Sequence, residues 1–269
     1  MGKKVFVFDF SRCNGCRNCQ IACKDEHVDQ AWLPFAEAQP DTGQFWLKLN
    51  ERVCGQVPKV HVVYTVEMCR HCDDAPCMAA APEAVYRRED GLVIVDPAKA
   101  KGCRELVEAC PYGAIYYNEE LDLPQKCTGC AHLVDEGLPP HCVDVCPHEA
   151  LRMMDESELP EGAVPAGEVG SPNLYYLNDP KRFVAGCVAD LEEDEVVIGA
   201  KVTLENLDSG EVEACETDEF GDFWFRRLPE ANFRVYVEAE GYLTRTVETS
   251  TVEEDKNVGT IGMYKNLIG

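Results

Sequence analysis

The sequence predicts an α+β protein in two parts: a cysteine-rich N-terminal region of short elements and a C-terminal antiparallel β-sandwich. Two observations lead there. Fourteen of the sixteen cysteines fall before residue 150, in tight groups separated by short strand-like runs. From Phe183 onward apolar and polar residues alternate strictly, as half-buried strands require. With 269 residues and 45% hydrophobic content, the chain has enough apolar matter for two cores.

Along the chain, Val5-Phe6-Val7-Phe8 after two lysines has the outline of a secretory leader. Asp9 ends that run early and no small-residue cleavage site follows, so it reads as a first strand with no signal peptide. Residues 60–64 and 92–95 also read as strands, and Glu89-Asp90-Gly91 predicts a β-hairpin from 84 to 96, since Asp-Gly suits a tight turn. Residues 151–182 are rich in Pro, Gly and Glu without a sustained period, and read as a connecting segment over the surface. Within it, Asn173-Leu174-Tyr175-Tyr176 is expected to pack on the core. Residues 201–205 and 233–238 alternate, with turns at Asp208-Ser209-Gly210 and Phe220-Gly221-Asp222, which places the sandwich at 183–269.

The formal charge of −24, from 49 acidic and 25 basic residues, repels nucleic acid and anionic membrane surfaces. The part from Phe183 is the more acidic, with 20 acidic residues against 7 basic. No apolar stretch approaches the roughly 18 residues needed to cross a bilayer, so no direct membrane span is expected. The expected location is cytoplasmic, or exported only as a folded complex with a partner.

The cysteines carry the chemistry. Cys13-x2-Cys16-x2-Cys19-x3-Cys23 is followed by Cys69-x2-Cys72-x4-Cys77, by a motif ending in Cys110-Pro111, and by Cys127-x2-Cys130 with Cys142-x3-Cys146-Pro147. Three cysteines on a tight loop grip three corners of an iron-sulfur cubane, while a fourth, at the head of a helix, points away to a second cluster. Such motifs work in crossed pairs, as tandem ferredoxin-like cluster-binding domains over residues 1–150.

The outer pair yields two complete sets: Cys13, Cys16, Cys19 and Cys146, then Cys127, Cys130, Cys142 and Cys23. The inner pair yields Cys69, Cys72, Cys77 and Cys110. Its crossed counterpart fails, because Ala81, Ala100 and Leu106 stand where cysteines are needed and only Cys103 remains. One thiol cannot hold a cubane. Three [4Fe-4S] clusters are therefore expected, with the fourth site filled by apolar side chains. Zinc uses the same C-x2-C loop, but three complete sets with Cys-Pro endings favour iron-sulfur. Disulfides fit less well, since cysteines this close on one loop serve as ligands.

Cys54, Cys103, Cys187 and Cys215 are left over and read as small buried hydrophobes. His71, His132 and His141 lie beside ligand cysteines and are expected around the clusters or at the surface. Gly15 and Gly129 are expected to let backbone N–H groups approach sulfur. Tyr112, Tyr116 and Tyr117 are expected to shield a cluster. Residues 218–222 suggest a calcium loop but lack the remaining oxygen ligands and read as an acidic β-turn. No nucleophile triad or phosphate-cradling glycine loop is present, so no independent catalytic site is expected.

Residues 1–150 resemble the iron-sulfur subunits of the dimethyl-sulfoxide-reductase family of molybdenum enzymes. The four motifs in this order, the Glu89-Asp90-Gly91-Leu92-Val93 hairpin, residues 109–114 and Gln125-Lys126-Cys127-Thr128-Gly129-Cys130 carry the resemblance. Most members are similar in having four clusters. Losing one, and adding a β-domain similar to transthyretin or carboxypeptidase-regulatory sandwiches through residues 217–223, resembles the branch of transhydroxylases and catechol dehydroxylases. The resemblance implies a large molybdopterin-containing catalytic subunit as partner, with molybdenum on two pterin guanine dinucleotides, and an electron-transfer role for this chain. It also implies a further electron donor as a second partner. Two alternatives remain open: the iron-sulfur subunit of a molybdenum reductase for an inorganic or sulfur substrate, and a free polyferredoxin shuttle.

Overall fold

The structure, a computed structural model, describes residues 2–266. Residues 267–269 of the expected sandwich, and Met1, lie outside the described residues. The chain forms two compact units, one of residues 1–51 and 64–179, the other of residues 52–63 and 180–269.

In the first unit the strands are β1 (Lys4–Asp9), β2 (Leu47–Gln56), β3 (Lys59–Met68), β4 (Val85–Arg87), β5 (Val93–Val95), β6 (Tyr116–Asn118), β7 (Leu123–Gln125), β8 (Leu151–Asp155), β9 (Val164–Pro165) and β10 (Leu174–Leu177). The tip of the β2–β3 hairpin, residues 52–63, belongs to the second unit. Its helices are short: α1 (Asn18–His27), α2 (Pro76–Ala80), α3 (Glu105–Ala109), α4 (Ala131–Asp135) and α5 (His141–Asp144). β1 is the hub. Val5, Phe6, Val7 and Phe8 are all at most 1% exposed, so both faces of the strand are covered, as a central strand demands. It pairs in parallel with β10 and antiparallel with β8, in a sheet ordered β8-β1-β10-β9.

That sheet corrects the expected connector. Residues 151–182 contribute β8, β9 and β10, and the unit runs to Asp179. These strands are two to five residues long, too short to show a period; β8 and β10 pair with β1, and β9 pairs with β10. Leu174, expected to pack on the core, is 0% exposed. The 84–96 hairpin forms as β4 and β5, with Val85 opposite Val95 and Arg87 opposite Val93.

The second unit contains β11 (Arg182–Asp190), β12 (Glu195–Val196), β13 (Lys201–Asn206), β14 (Val212–Glu216), β15 (Asp222–Leu228), β16 (Asn232–Glu238), β17 (Arg245–Ser250) and β18 (Lys256–Met263). One sheet runs β14-β13-β16-β17; the other runs β12-β11-β15, with β18 against β11. Alternate side chains, including Val202, Leu204, Phe223, Phe225, Phe233, Val235 and Val237, form one apolar core. The sandwich is not wholly antiparallel, because β18 pairs in parallel with β11. Alternation reports which face a residue takes and is blind to direction. β18 follows β17, which belongs to the other sheet, so no hairpin imposes an antiparallel partner. The hairpin tip packs in this unit: the Asn257 N–H donates to the Gln56 side-chain oxygen at 2.8 Å, and Lys59 pairs with Asp222. Asp218 accepts from the N–H groups of Phe220 and Asp222, as an acidic turn does.

Among the described residues no helix is long and apolar enough to cross a membrane.

Candidate functional site

The short helices exist to present sulfur. α1 places Cys19 and Cys23 four residues apart on one face, α2 opens on Pro76 and carries Cys77, and α5 follows Pro140 and carries Cys142. None of the cysteines forms a disulfide among the described residues.

Two of the expected sets each line a cavity. Cys13, Cys16, Cys19 and Cys146 surround a space of about 320 Å³ with Phe8, Leu49 and Leu151 in its wall. Cys69, Cys72, Cys77 and Cys110 surround about 350 Å³ with Val93, Ile115 and Lys126. Cys23, Cys127, Cys130 and Cys142 are buried together, close enough that the charges of Cys127 and Cys130 raise both Cys23 and Cys142. Among the described residues, no three His, Cys, Asp or Glu converge on a single-ion site. Tetrahedral zinc needs its sulfurs all about 2.3 Å from one point, whereas a cubane spreads them over four separate irons.

The three sets form a row. Cys19 and Cys23 sit one helical turn apart, so the Cys13 set adjoins the Cys23 set. At the other end Cys127 feels the charge of Cys69, so the Cys23 set adjoins the Cys69 set.

The thiols favour metal over solvent. Burial, and then the neighbouring cysteines, push Cys19, Cys72 and Cys130 up to about 12; burial and the Cys69 charge do the same to Cys127. Such groups shed their protons only to a cationic centre, and iron supplies one. Backbone donors are aimed at the sulfurs: Gly129 N–H at Cys127 Sγ (3.3 Å), Ala114 N–H at Cys110 Sγ (3.4 Å) and Ala150 N–H at Cys146 Sγ (3.2 Å). The last two share a four-residue offset from a Cys-Pro ending. The Gly15 N–H donates to Cys13, so both expected glycines serve sulfur.

Lys126 tests the fit. It is 3% exposed, its Nζ donates to the carbonyls of Val93 and Cys127 (3.1 Å), it lines one cavity with Cys69, and no carboxylate pairs with it among the described residues. Burial pulls its pKa down, but the charges of Cys69, Cys77 and Cys127 outweigh this and raise it. A buried ammonium without an anion costs several kcal/mol. Iron-bound thiolates provide the anion, so the donor set fits anionic clusters.

Residues 60–156 match the 4Fe-4S dicluster domain family, and residues 184–261 match the carboxypeptidase regulatory-like domain family. The chain is 36% identical to the pyrogallol hydroxytransferase small subunit of Pelobacter acidigallici, over 96% of this chain and 97% of that one. It is 41% identical to the probable anaerobic dimethyl sulfoxide reductase chain YnfG of Escherichia coli, over 70% of this chain and 97% of that one. A tetrathionate reductase subunit of Salmonella typhimurium is 32% identical over 67% of this chain and 74% of its own.

The chain belongs to the iron-sulfur subunits of the dimethyl-sulfoxide-reductase family.

It is an electron-transfer subunit of this family, and the three positions where the sequence lacks the expected cysteines are apolar and buried. Ala81 (8% exposed), Ala100 (0%) and Leu106 (0%) lie in one apolar cluster with Val85, Val95 and Leu123, and Cys103 sits at its edge. Of the leftover cysteines, Cys54 is buried as expected, but Cys103, Cys187 and Cys215 are partly exposed. Cys103 and Cys215 are partly buried against apolar clusters, while Cys187 sits within β11, and residue type alone reveals none of these settings.

His71 is buried; His132 Nε2 and His141 Nδ1 both lie 2.8 Å from Glu26, and the His141 N–H donates to Cys130. The Tyr112 hydroxyl hydrogen-bonds Val169, and its ring carries the Arg70 guanidinium. Sequence reasoning missed His27, whose Nε2 is 3.8 Å from Cys130 Sγ. Its signal was available, since Cys19, Cys23 and His27 recur every four residues on α1. Burial and the neighbouring His132 and His141 pull His27 down to about 3, so it stays neutral. Lys126 gave no such signal, because nothing in its spacing reports burial.

Gly15 has φ +78, and a Cβ there would run into the Tyr64 ring. Gly15→Ala is expected to cost about 2 kcal/mol or more, from left-handed strain plus the displaced ring. It should also lower cluster occupancy of the Cys13 set, read as iron retained after chelator dialysis. Gly113→Ala, at φ +59 with nothing within 4 Å, should lose only the strain and keep its iron.

Proposed function

We propose that this subunit carries three [4Fe-4S] clusters, on Cys13, Cys16, Cys19 and Cys146, on Cys23, Cys127, Cys130 and Cys142, and on Cys69, Cys72, Cys77 and Cys110. We further propose that it serves a large molybdopterin-containing catalytic subunit acting on polyhydroxylated aromatic substrates. Bound clusters supply one-electron carriers. The chain orders them in a row, excludes water from the middle set, and offers N–H donors and a buried ammonium to their sulfurs. Such donors favour the more negative, reduced state and so raise its potential.

The observation that carries the substrate reading is the filled fourth position joined to the C-terminal sandwich. The Pelobacter protein, whose name specifies pyrogallol, matches across 96% of this chain, while YnfG matches 70%. No residue of this chain is assigned to substrate; the substrate chemistry belongs to the partner.

The test is to purify the native complex without oxygen and measure metals, size and activity. Iron and labile sulfide should each approach about twelve per copy of this chain, four per cubane, with molybdenum or tungsten in a co-purifying large subunit. Activity should appear with catechols or trihydroxybenzenes. A complex lacking both molybdenum and tungsten sinks the proposal, as does a chain that migrates alone at 30.0 kDa, which would indicate a free shuttle. Activity on tetrathionate or a sulfoxide instead would replace the aromatic substrate.

A further inference from the structure

Two donors converge on the Cys69 set, and a single residue aims both. The Val93 N–H donates to His71 Nδ1 at 3.0 Å, and the Val93 carbonyl accepts from Lys126 Nζ. Val93 is itself held in β5, 1% exposed and paired with Arg87 of β4.

Accepting at Nδ1 fixes the His71 tautomer, so the ring hydrogen resides on Nε2. That Nε2 has no hydrogen-bond partner, although His71 is only 1% exposed. The ring stacks on Phe6 at 6.0 Å between centroids, which sets its plane, and it lines the cavity bounded by Cys69, Cys72, Cys77 and Cys110. A buried donor without an acceptor is destabilising, and the sulfur of a bound cluster would satisfy it. Lys126 lines the same cavity as Cys69, with its Nζ donating to the Cys127 carbonyl at 3.1 Å.

The other two sets are furnished differently. Near the Cys13 set, Arg12 and Arg17 are exposed and paired with Glu149 and Glu51. Near the Cys23 set, the Lys24 ammonium is taken up by the carbonyls of Pro40 and Gly43.

We propose that Lys126 and His71 are potential-setting residues for the Cys69 set: the ammonium lining the cavity beside Cys69 and the Nε2–H facing the cavity stabilise the reduced cluster there. This rests on the three-cluster reading above. A positive charge and a hydrogen bond each favour the state with the extra electron, so both raise the potential of that cluster. The effect is graded across the sets, because Lys126 lines the cavity of the Cys69 set, is next to Cys127 in sequence, and does not line the cavity of the Cys13 set.

The test is an EPR-monitored redox titration of the anaerobic native complex, wild type beside Lys126→Met, Lys126→Arg and His71→Phe. Lys126→Met keeps the side-chain length and removes the charge. It should lower the reduced-to-oxidised ratio of one cluster at least tenfold at fixed potential, 59 mV for one electron. A second cluster should shift less and the third should stay in place. Lys126→Arg, which keeps the charge, should remain within threefold of wild type. His71→Phe, which keeps a ring against Phe6 but loses the donor, should lower the same cluster.

Three unmoved midpoints in Lys126→Met, or three equal shifts, overturn the proposal. So does an Arg variant that behaves like Met. Should Lys126→Met fail to retain iron, His71→Phe decides alone, and an unchanged midpoint there overturns it. A wild-type complex without three cluster signals defeats the earlier reading of the sites instead, and is recognised before any variant is compared.

Discussion

Replacing Cys142 by serine is expected to remove the middle cluster and break the row in two. Cys142 is 4% exposed on α5 and shares its site with Cys23, Cys127 and Cys130. Serine is smaller and a far poorer iron ligand than a thiolate, and none of Cys54, Cys103, Cys187 and Cys215 is among the cysteines whose charge reaches Cys23 or Cys142. Iron should fall from about twelve to about eight atoms per chain, four per lost cubane. Electron passage between the end clusters should slow, because the carrier between them is gone. Iron analysis and rapid-mixing reduction, followed separately at each cluster, measure the two effects. A variant that keeps all its iron and passes electrons at the wild-type rate would remove Cys142 from the ligand set. Serine at Cys54 should leave iron untouched, since that thiol lies near Arg52 and Asp255 in the sandwich unit.

Leu106→Ala is expected to cost about 2–5 kcal/mol of stability with iron content unchanged. Leu106 is 0% exposed and packs among Ala100, Val95, Ile115 and Leu123, where a cluster would sit if the inner pair were complete. The loss has two sources, the apolar surface no longer buried and the cavity left behind. Thermal unfolding should move down by roughly 10 °C, at about 2–4 °C per kcal/mol for a protein of this size. Calorimetry with parallel iron analysis separates the outcomes. An alanine variant as stable as wild type would mean that the position is loosely packed. One that loses iron would mean that Leu106 supports a neighbouring ligand set more directly than its packing indicates.

These two residues show how differently the chain advertises its parts. Cys142 was legible from spacing, because a cubane loop is a local covalent requirement and Cys142-x3-Cys146-Pro147 states it within six residues. Leu106 was legible only as a missing cysteine, found by laying one motif on another. The crossed ligand sets were an expectation from the same spacing, in which Cys110 and Cys146 each precede a proline and Cys23 follows Cys19 by four residues. The connector was not. β8, β9 and β10 are short, and β8 and β10 find their partner in β1, about 150 residues earlier in sequence, while β9 pairs with β10. The parallel pairing of β18 with β11 was hidden for a related reason: a period of two residues encodes a face and carries no direction.

By itself, the sequence led to the expectation of three complete cysteine sets and an apolar fourth position, and it determined that an alternating β-domain would follow. Each of these depends on residue type and spacing along a few neighbouring positions. Only the tertiary structure decided that Lys126 is a buried cation lining one cavity with Cys69, and that Val93 aims both Lys126 and His71. It alone also made the connector part of a sheet. Burial, charge pairing and sheet partnership are properties of segments distant in sequence that meet only when folded, and no local pattern records them.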